Sequence, residues 1–598
     1  PAHYAVKLQA KGEHDLGQIL GLVSPSWQAL GSGQAIFEWD FALDLPAEGF
    51  AYTSKTLVDL AAAQLQLPAP FGKESADSAT LLIEANGSQL GSAFELSYGD
   101  QLRFQAHLDQ ASGKVDEALL TLGAQSSLLR PGFYIEANLE TADFAEWIRF
   151  INTQLSSDQV AEDGVMPSLT QVNAQIAKLH LFDDVDFHQV DLAVTPQVEK
   201  WQLQLQAEEA KGELMIANDL AAGGIDAHFT RLQLIFADAV AAKAQADAEK
   251  LARGDKPLVK PKQLPDYKAI EQTAFNQFTP MNWLADLPAI RLSCDDCVIG
   301  DFQLGQVEAQ AEGDGEQWQL QSFDSRFAGH HWQASGNWQR DDGLGQTNLN
   351  ASLKTKSLGA LLAGYDISSS MQDSAADVQL QQFSWQGAPF QFNRLTLDGD
   401  LAWQIGEGSL TDFSDGGTRV FSLLSLDSLV RKLRLDFSDV FAKGFFFNKM
   451  TGSMQISQGL SHTTDTFIDG VAGDLELNGK ADLAAHQLDY KISFSPKVTS
   501  SLPVILAWMV NPVSGVAAYA LDEMFQSAEV ISKINFEVTG DFDFPEVVET
   551  KRSSKQVPLP EPLKKPEPVQ EVLPEQQQMQ EAPPIDDEES TPVSGRSR

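Results

Sequence analysis

The sequence predicts a mainly β protein. The expected architecture is one elongated, twisted, curled sheet of antiparallel type, built from repeated hairpins, whose inner side is an apolar groove. A few short helices and a disordered C-terminal tail complete it. Three observations carry this reading. Apolar and polar residues alternate with a period of two over much of the chain, hairpin-like units bearing tryptophan recur, and helical periodicity surfaces in only a few places.

The alternation comes first. Leu102, Phe104, Ala106 and Leu108 interleave with Arg103, Gln105 and His107, and Phe133, Ile135, Ala137 and Leu139 repeat the pattern. Leu475 with Leu477, then Leu488, Tyr490, Ile492 and Phe494, then Ile534, Phe536 and Val538, do the same near the far end. Successive side chains of a strand point to opposite faces, so each run is a strand with one apolar and one polar face. Burial on both faces would instead give continuous apolar runs. The groove is therefore expected to be lined by Leu102, Phe104, Leu108, Phe133, Ile135, Leu475, Leu477, Leu488, Tyr490, Ile492, Phe494, Ile534, Phe536 and Val538. A filled sandwich core shows the same alternation, so filled core remains the other reading of these positions.

A loose repeat follows. Phe187, Val190 and Leu192 lead into Trp201 and Leu205; Phe302, Leu304 and Val307 lead into Trp318 and Leu320; Phe390, Phe392 and Leu395 lead into Trp403. Hairpins that cannot bury their own face must stack on neighbours, which favours one long sheet over separate globules.

Helical spacing occurs at residues 142–155, where Phe144, Trp147, Ile148 and Ile151 share a face, in the Ala-rich stretch 236–252, and at 421–433. Residues 502–525 are the most apolar stretch, broken by Asn511-Pro512 and Gly515. Proline at 512 removes a helix hydrogen bond, so two short helices, 503–510 and 513–525, fit better than one span. Two readings stand for this pair. It packs over the end of the sheet, or it forms a tip entering a bilayer through Val504, Ile505, Leu506, Trp508, Met509 and Val510. From about Thr550 the chain turns to Pro, Glu, Gln and Lys and buries too little to fold.

The expected organisation is thus groove repeats over 1–235, a helical and linker insertion over 236–287, further repeats over 288–405, a distinct C-terminal region over 406–549 and the tail over 550–598. The chain opens directly on a strand-like stretch without a targeting segment, as a fragment starting inside a longer protein does.

Charge and motif narrow the function. The 598 residues carry 42 basic and 83 acidic side chains, a formal charge of −41, with no long window of clustered Lys and Arg. Nucleic acid, whose phosphates such clusters neutralise, is excluded as an expected partner. His330-His331 has no acidic partner pair at metal spacing, and no local hydrolase, zinc-protease or phosphate-loop motif occurs. No catalytic residue, metal or cofactor is expected. The two cysteines, Cys294 and Cys297, admit unpaired thiols, a local disulfide or a metal or redox site; in a strand, residues three apart face opposite ways, so any pairing needs a bulge or turn.

Residues 406–496 resemble the C-terminal core of the YhdP branch of the AsmA-like family. The resemblance is carried by blocks at 406–410, 421–429, 431–444, 452–459 and 475–483, and more loosely by Pro288 to Leu292 and Gly300 to Gly305. Residues 1–180 share only general strand style, and the tail after 550 shares nothing. The resemblance implies a periplasm-spanning groove that carries phospholipid between the inner and outer membranes and supports the outer-membrane barrier. It also implies an inner-membrane helix in the full-length protein and a C-terminal end near the outer membrane. An alternative by the same analogy is an assembly or scaffold factor for outer-membrane components, pairing with a protein partner through the sheet's edges.

Overall fold

The computed structural model describes residues 4–23, 25–75, 77–123, 128–155, 165–182, 185–235, 263–300, 302–364, 371–372, 374–410, 445–497, 527–542 and 544–558. They form a 29-stranded sheet. All strands except Ala63–Leu65, Met371–Gln372 and Gly408–Leu410 follow one another in a single ladder, from Tyr4–Asp15 at one edge to Pro545–Pro558 at the other. Among the described residues the two edge strands do not pair with each other, so the sheet is open.

Neighbours are antiparallel except at three junctions, in keeping with a sheet expected to be mostly antiparallel. Lys114–Leu122 with Gly132–Asp143, Gly132–Asp143 with Leu169–Phe182, and Ile225–Leu234 with Ile290–Ile299 run parallel. A parallel neighbour requires the chain to travel from one end of the strands to the other, and two of these junctions carry long connections, between residues 143 and 169 and between 234 and 290. Helix Phe144–Leu155 opens one of them, starting two residues later than its periodicity suggests, with Trp147 edge-on to Phe71 at 6.1 Å. The helices expected at 236–252, 421–433, 503–510 and 513–525 lie outside the described residues.

The strand ends make two rims. One carries the turns at 196–200, 313–317, 339–346, 386–398, 482–487 and 541–545; the other carries those at 206–210, 299–302, 327–330 and 470–473. Register shifts interrupt many strands between the rims, among them Gln310/Ala311, Leu320/Phe323, Gln381/Ser384 and Thr451/Gln455. Each bulge bends its strand and adds twist, which is how a sheet this long curls across its strands.

One bulge resolves the cysteines. The register of Ile290–Ile299 against Phe302–Gly313 shifts between Cys294 and Cys297, so both side chains turn to the same, buried face. They form a disulfide with Cα atoms 5.9 Å apart. Opposite the bulge Gly305 has φ +62, and a Cβ there would lie 2.6 Å from the Arg326 carbonyl oxygen. Replacing both cysteines with alanine is expected to lower unfolding free energy by about 2 kcal/mol, the chain-entropy value for so short a loop. Urea titration of the two proteins checks this, and an unchanged midpoint would show the bulge to be held by Gly305 and packing alone.

The last strand corrects the tail boundary. Pro545–Pro558 runs past Thr550 and pairs with Ser527–Asp541, with Lys551 opposite Asn535 and Arg552 opposite Ile534. Backbone pairing at a sheet's edge needs little apolar content, which is why composition alone placed the boundary too early.

Candidate apolar groove

Cross-strand register shows what the apolar faces build together. Starting at Trp39, successive partners are Thr56, Ile83, Leu96, Phe104, Leu120, Ile135, Val172 and Val194. The same row continues through Leu203, Leu214, Ala227, Leu292, Ala309, Phe323, Ala334, Ala351, Leu380, Leu401 and Met454. Thr56 is its one polar member. At ~4.8 Å per strand the row is roughly 90 Å long, running along the sheet from the second strand of the ladder to Phe445–Ser457.

The row is not sealed. Leu203, Leu214, Leu292, Phe323, Ala334, Ala351, Leu380 and Leu401 are all only half-buried. Alanines at 227, 309, 334 and 351 leave the middle of the row low, with Leu292, Phe323 and Leu380 rising beside them. The row is an apolar strip, partly open along its middle, rather than a closed core.

The fourteen residues expected to line the groove fall into two groups. Leu102, Phe104, Leu108, Phe133 and Ile135 are half-buried on the trough face of the upstream strands. Phe104 and Ile135 stand in the row itself, two strands apart with Leu120 between them. The other nine lie past the row's downstream end. Leu475, Phe494 and Ile534 are cross-strand partners, as are Leu477, Ile492 and Phe536, while Tyr490 faces Val538 and Leu488 faces Ala481. These nine are 0–4% exposed, so here the apolar face is packed core. Burial pushes the Tyr490 hydroxyl well above the usual phenol range, which keeps it protonated and neutral. The six tip candidates between Val504 and Val510 lie outside the described residues.

Sequence reasoning passed over most of the row's middle. Leu203, Leu214, Leu292, Phe323, Leu380 and Leu401 sit on alternating strands, but bulges reverse the parity within those of Leu292, Phe323 and Leu380. Leu320 and Phe323 face the same way although three apart, and so do Leu380 and Phe383. Reading i, i+2 through such a point moves the pattern to the wrong face.

The opposite face is polar. A cavity of about 1020 Å³ at these middle strands is lined both by row residues, among them Leu292, Phe323 and Leu380, and by Glu213, His228, Glu308, Gln310 and the pair Asp226–Arg291. The Arg291 guanidinium holds the Asp226 carboxyl below the usual carboxylate range. Asp324 accepts from His331 at 2.8 Å and pairs with Arg326 at 2.9 Å, so its charge is answered locally. His330 is buried and meets the Thr355 hydroxyl at 2.7 Å; desolvation lowers its pKa. Among the described residues no three His, Cys, Asp or Glu side chains converge on a possible metal site. No described helix is long and apolar enough to cross a membrane.

Comparison with known proteins agrees with this geometry. The family described as YhdP protein matches residues 1–547, including the first 180, where sequence resemblance offered only strand style. The intermembrane phospholipid transporter YhdP of Escherichia coli (strain K12) is 23% identical over 540 residues, covering 88% of this chain and 39% of that protein. The chain thus spans well under half the length of that relative. No solved structure matches. A family match over nearly the whole ladder establishes that the chain belongs to the YhdP protein family.

Proposed function

We propose that the chain binds phospholipid along the trough, acyl chains on the apolar row and headgroups in water, and conducts it as part of a bridge between the inner and outer membranes. The observation that carries this reading is the row from Trp39 to Met454, apolar at every strand but one and half-open along its middle. The E. coli relative is named an intermembrane phospholipid transporter, and the family match places this chain beside it. In the whole protein the bridge stands in the periplasm, anchored in the inner membrane, with the C-terminal strands toward the outer membrane whose barrier it supports.

The energetics suit a passive conduit. Moving an acyl chain through water exposes about 0.8 kcal/mol per methylene, roughly 12 kcal/mol for a chain of about 15. A continuous greasy floor removes most of that barrier, and no covalent step or cofactor is needed.

Native mass spectrometry and lipid extraction of the purified chain test the reading. Phospholipid is expected to copurify and to survive size exclusion. A protein that emerges free of lipid, and that takes none up from mixed phosphatidylethanolamine and phosphatidylglycerol vesicles, would sink it.

A further inference from the structure

The connection before strand Ile290–Ile299 places a strap on one rim. Strand Ile225–Leu234 ends at the rim carrying the 206–210 turn, yet residues 263–289 lie along the other. There residues 266–287 meet the turns of the later strands in reverse chain order. The two ends of this segment are held very differently.

The C-terminal end is fixed. Leu284 and Ala285 are buried against Trp338, itself 0% exposed. The Gly315 N–H donates to the Ala285 carbonyl at 2.8 Å and the Gly313 N–H to the Leu287 carbonyl at 2.9 Å. Trp338 shares its strand face with Trp332 and Ala334, so this end sits on the trough side of the rim.

The N-terminal end is lightly held. Helix Tyr267–Phe275 buries none of its residues. Tyr267 stacks on His486 at 4.1 Å, and His486 stacks on Phe542 at 5.1 Å. Glu271 pairs with Arg394 at 2.7 Å. A ring stack and a partly exposed ion pair each favour the docked state by about tenfold. His486 and Phe542 belong to the turns that bound strands Gln487–Pro496 and Ser527–Asp541, whose inward residues Tyr490 and Phe536 are fully buried.

We propose that residues 266–287 are a hinged strap, fixed at Trp338 and releasable at His486, whose release lets the rim of the C-terminal strands move outward and opens their buried floor to acyl chains. The proposal rests on the lipid reading, because a lipid moving down the half-open row meets the closed strands Gly473–Asp482, Gln487–Pro496 and Ser527–Asp541. The strap's weak end is attached to those same strands.

The test is a distance across the trough in the Tyr267→Ala, Glu271→Ala double variant, which loses both weak contacts and no buried side chain. Nitroxide labels at Gln487→Cys and Val471→Cys sit on opposite rims of these strands, and the native cysteines are paired and do not react. The variant is expected to show a distance longer by several ångströms, and amide exchange in Gln487–Pro496 faster by about tenfold. Joining Glu271→Cys to Arg394→Cys with a bismaleimide is expected to hold the short distance and to stop lipid transfer between vesicles. Unchanged distance and exchange in the double variant would overturn the strap. Wild-type protein that carries no lipid while the distance still shifts would remove the lipid reading and keep the hinge.

Discussion

Phe536→Ala is expected to lower the unfolding free energy of the C-terminal strands by about 3–5 kcal/mol, the cost of deleting a fully buried ring whose site cannot collapse. Phe536 is 1% exposed. Ile492 lies directly across from it, with Leu477 one strand further on, so a cavity opens beneath three strands at once. Phe104→Ala, at a half-buried site of the same sheet face, is expected to cost about half as much, because water already covers part of that ring. The sheet is a ladder in which each strand touches mainly its neighbours, so the damage should stay local. Hydrogen exchange is the suitable measurement. Protection should fall in Gly473–Asp482, Gln487–Pro496 and Ser527–Asp541 while Leu102–Asp109 and Lys114–Leu122 keep theirs. Equal loss along the whole ladder, or a cost under about 1 kcal/mol, would show that these strands are not a packed core of their own.

That contrast between a packed end and an open middle marks where the sequence stops being legible. Alternation of period two identifies Leu488, Tyr490, Ile492 and Phe494 as one face, and the structure keeps them on one face because that strand pairs with both neighbours without a shift. The same rule loses the middle of the trough, where shifts at Leu320/Phe323 and Gln381/Ser384 turn residues three apart to a common side. Nothing in a local window reveals a bulge whose cause is the neighbouring strand, such as Gly305 opposite the cysteines. The parallel junctions were hidden for a similar reason. A strand's own pattern does not record which end its connection enters from, and only the long stretches between residues 143 and 169 and between 234 and 290 hint at a crossing. Burial was hidden as well, since the alternation at Leu380 and at Phe536 is alike while one is half-open and the other closed.

Leu292→Glu and Leu380→Glu are each expected to reduce the phospholipid carried by the chain by about tenfold or more, with the fold intact. Both side chains stand in the unbroken row, Leu292 between Ala227 and Ala309, Leu380 between Ala351 and Leu401. Both are half-buried, so a carboxylate there can keep its water and the sheet is not forced to open. An acyl chain passing over it must strip that water or leave a gap, and a charge set against hydrocarbon costs on the order of 3 kcal/mol, about 100-fold. On the same face each variant position is flanked by apolar neighbours, Ile290 and Cys294 beside Leu292 and Val378 beside Leu380, so the charge stands in the middle of the apolar strip. Gln310→Glu is the control: it adds the same charge one strand from Leu292, but on the polar face opposite Arg291, and should leave the lipid load unchanged. Circular dichroism confirms that the three proteins keep their strand content, and lipid extraction compares them with wild type. Equal loads in wild type and in both trough variants would mean that any lipid travels elsewhere on the molecule. Equal losses in the trough variants and the control would trace the effect to net charge, because only position separates Leu292 from Gln310.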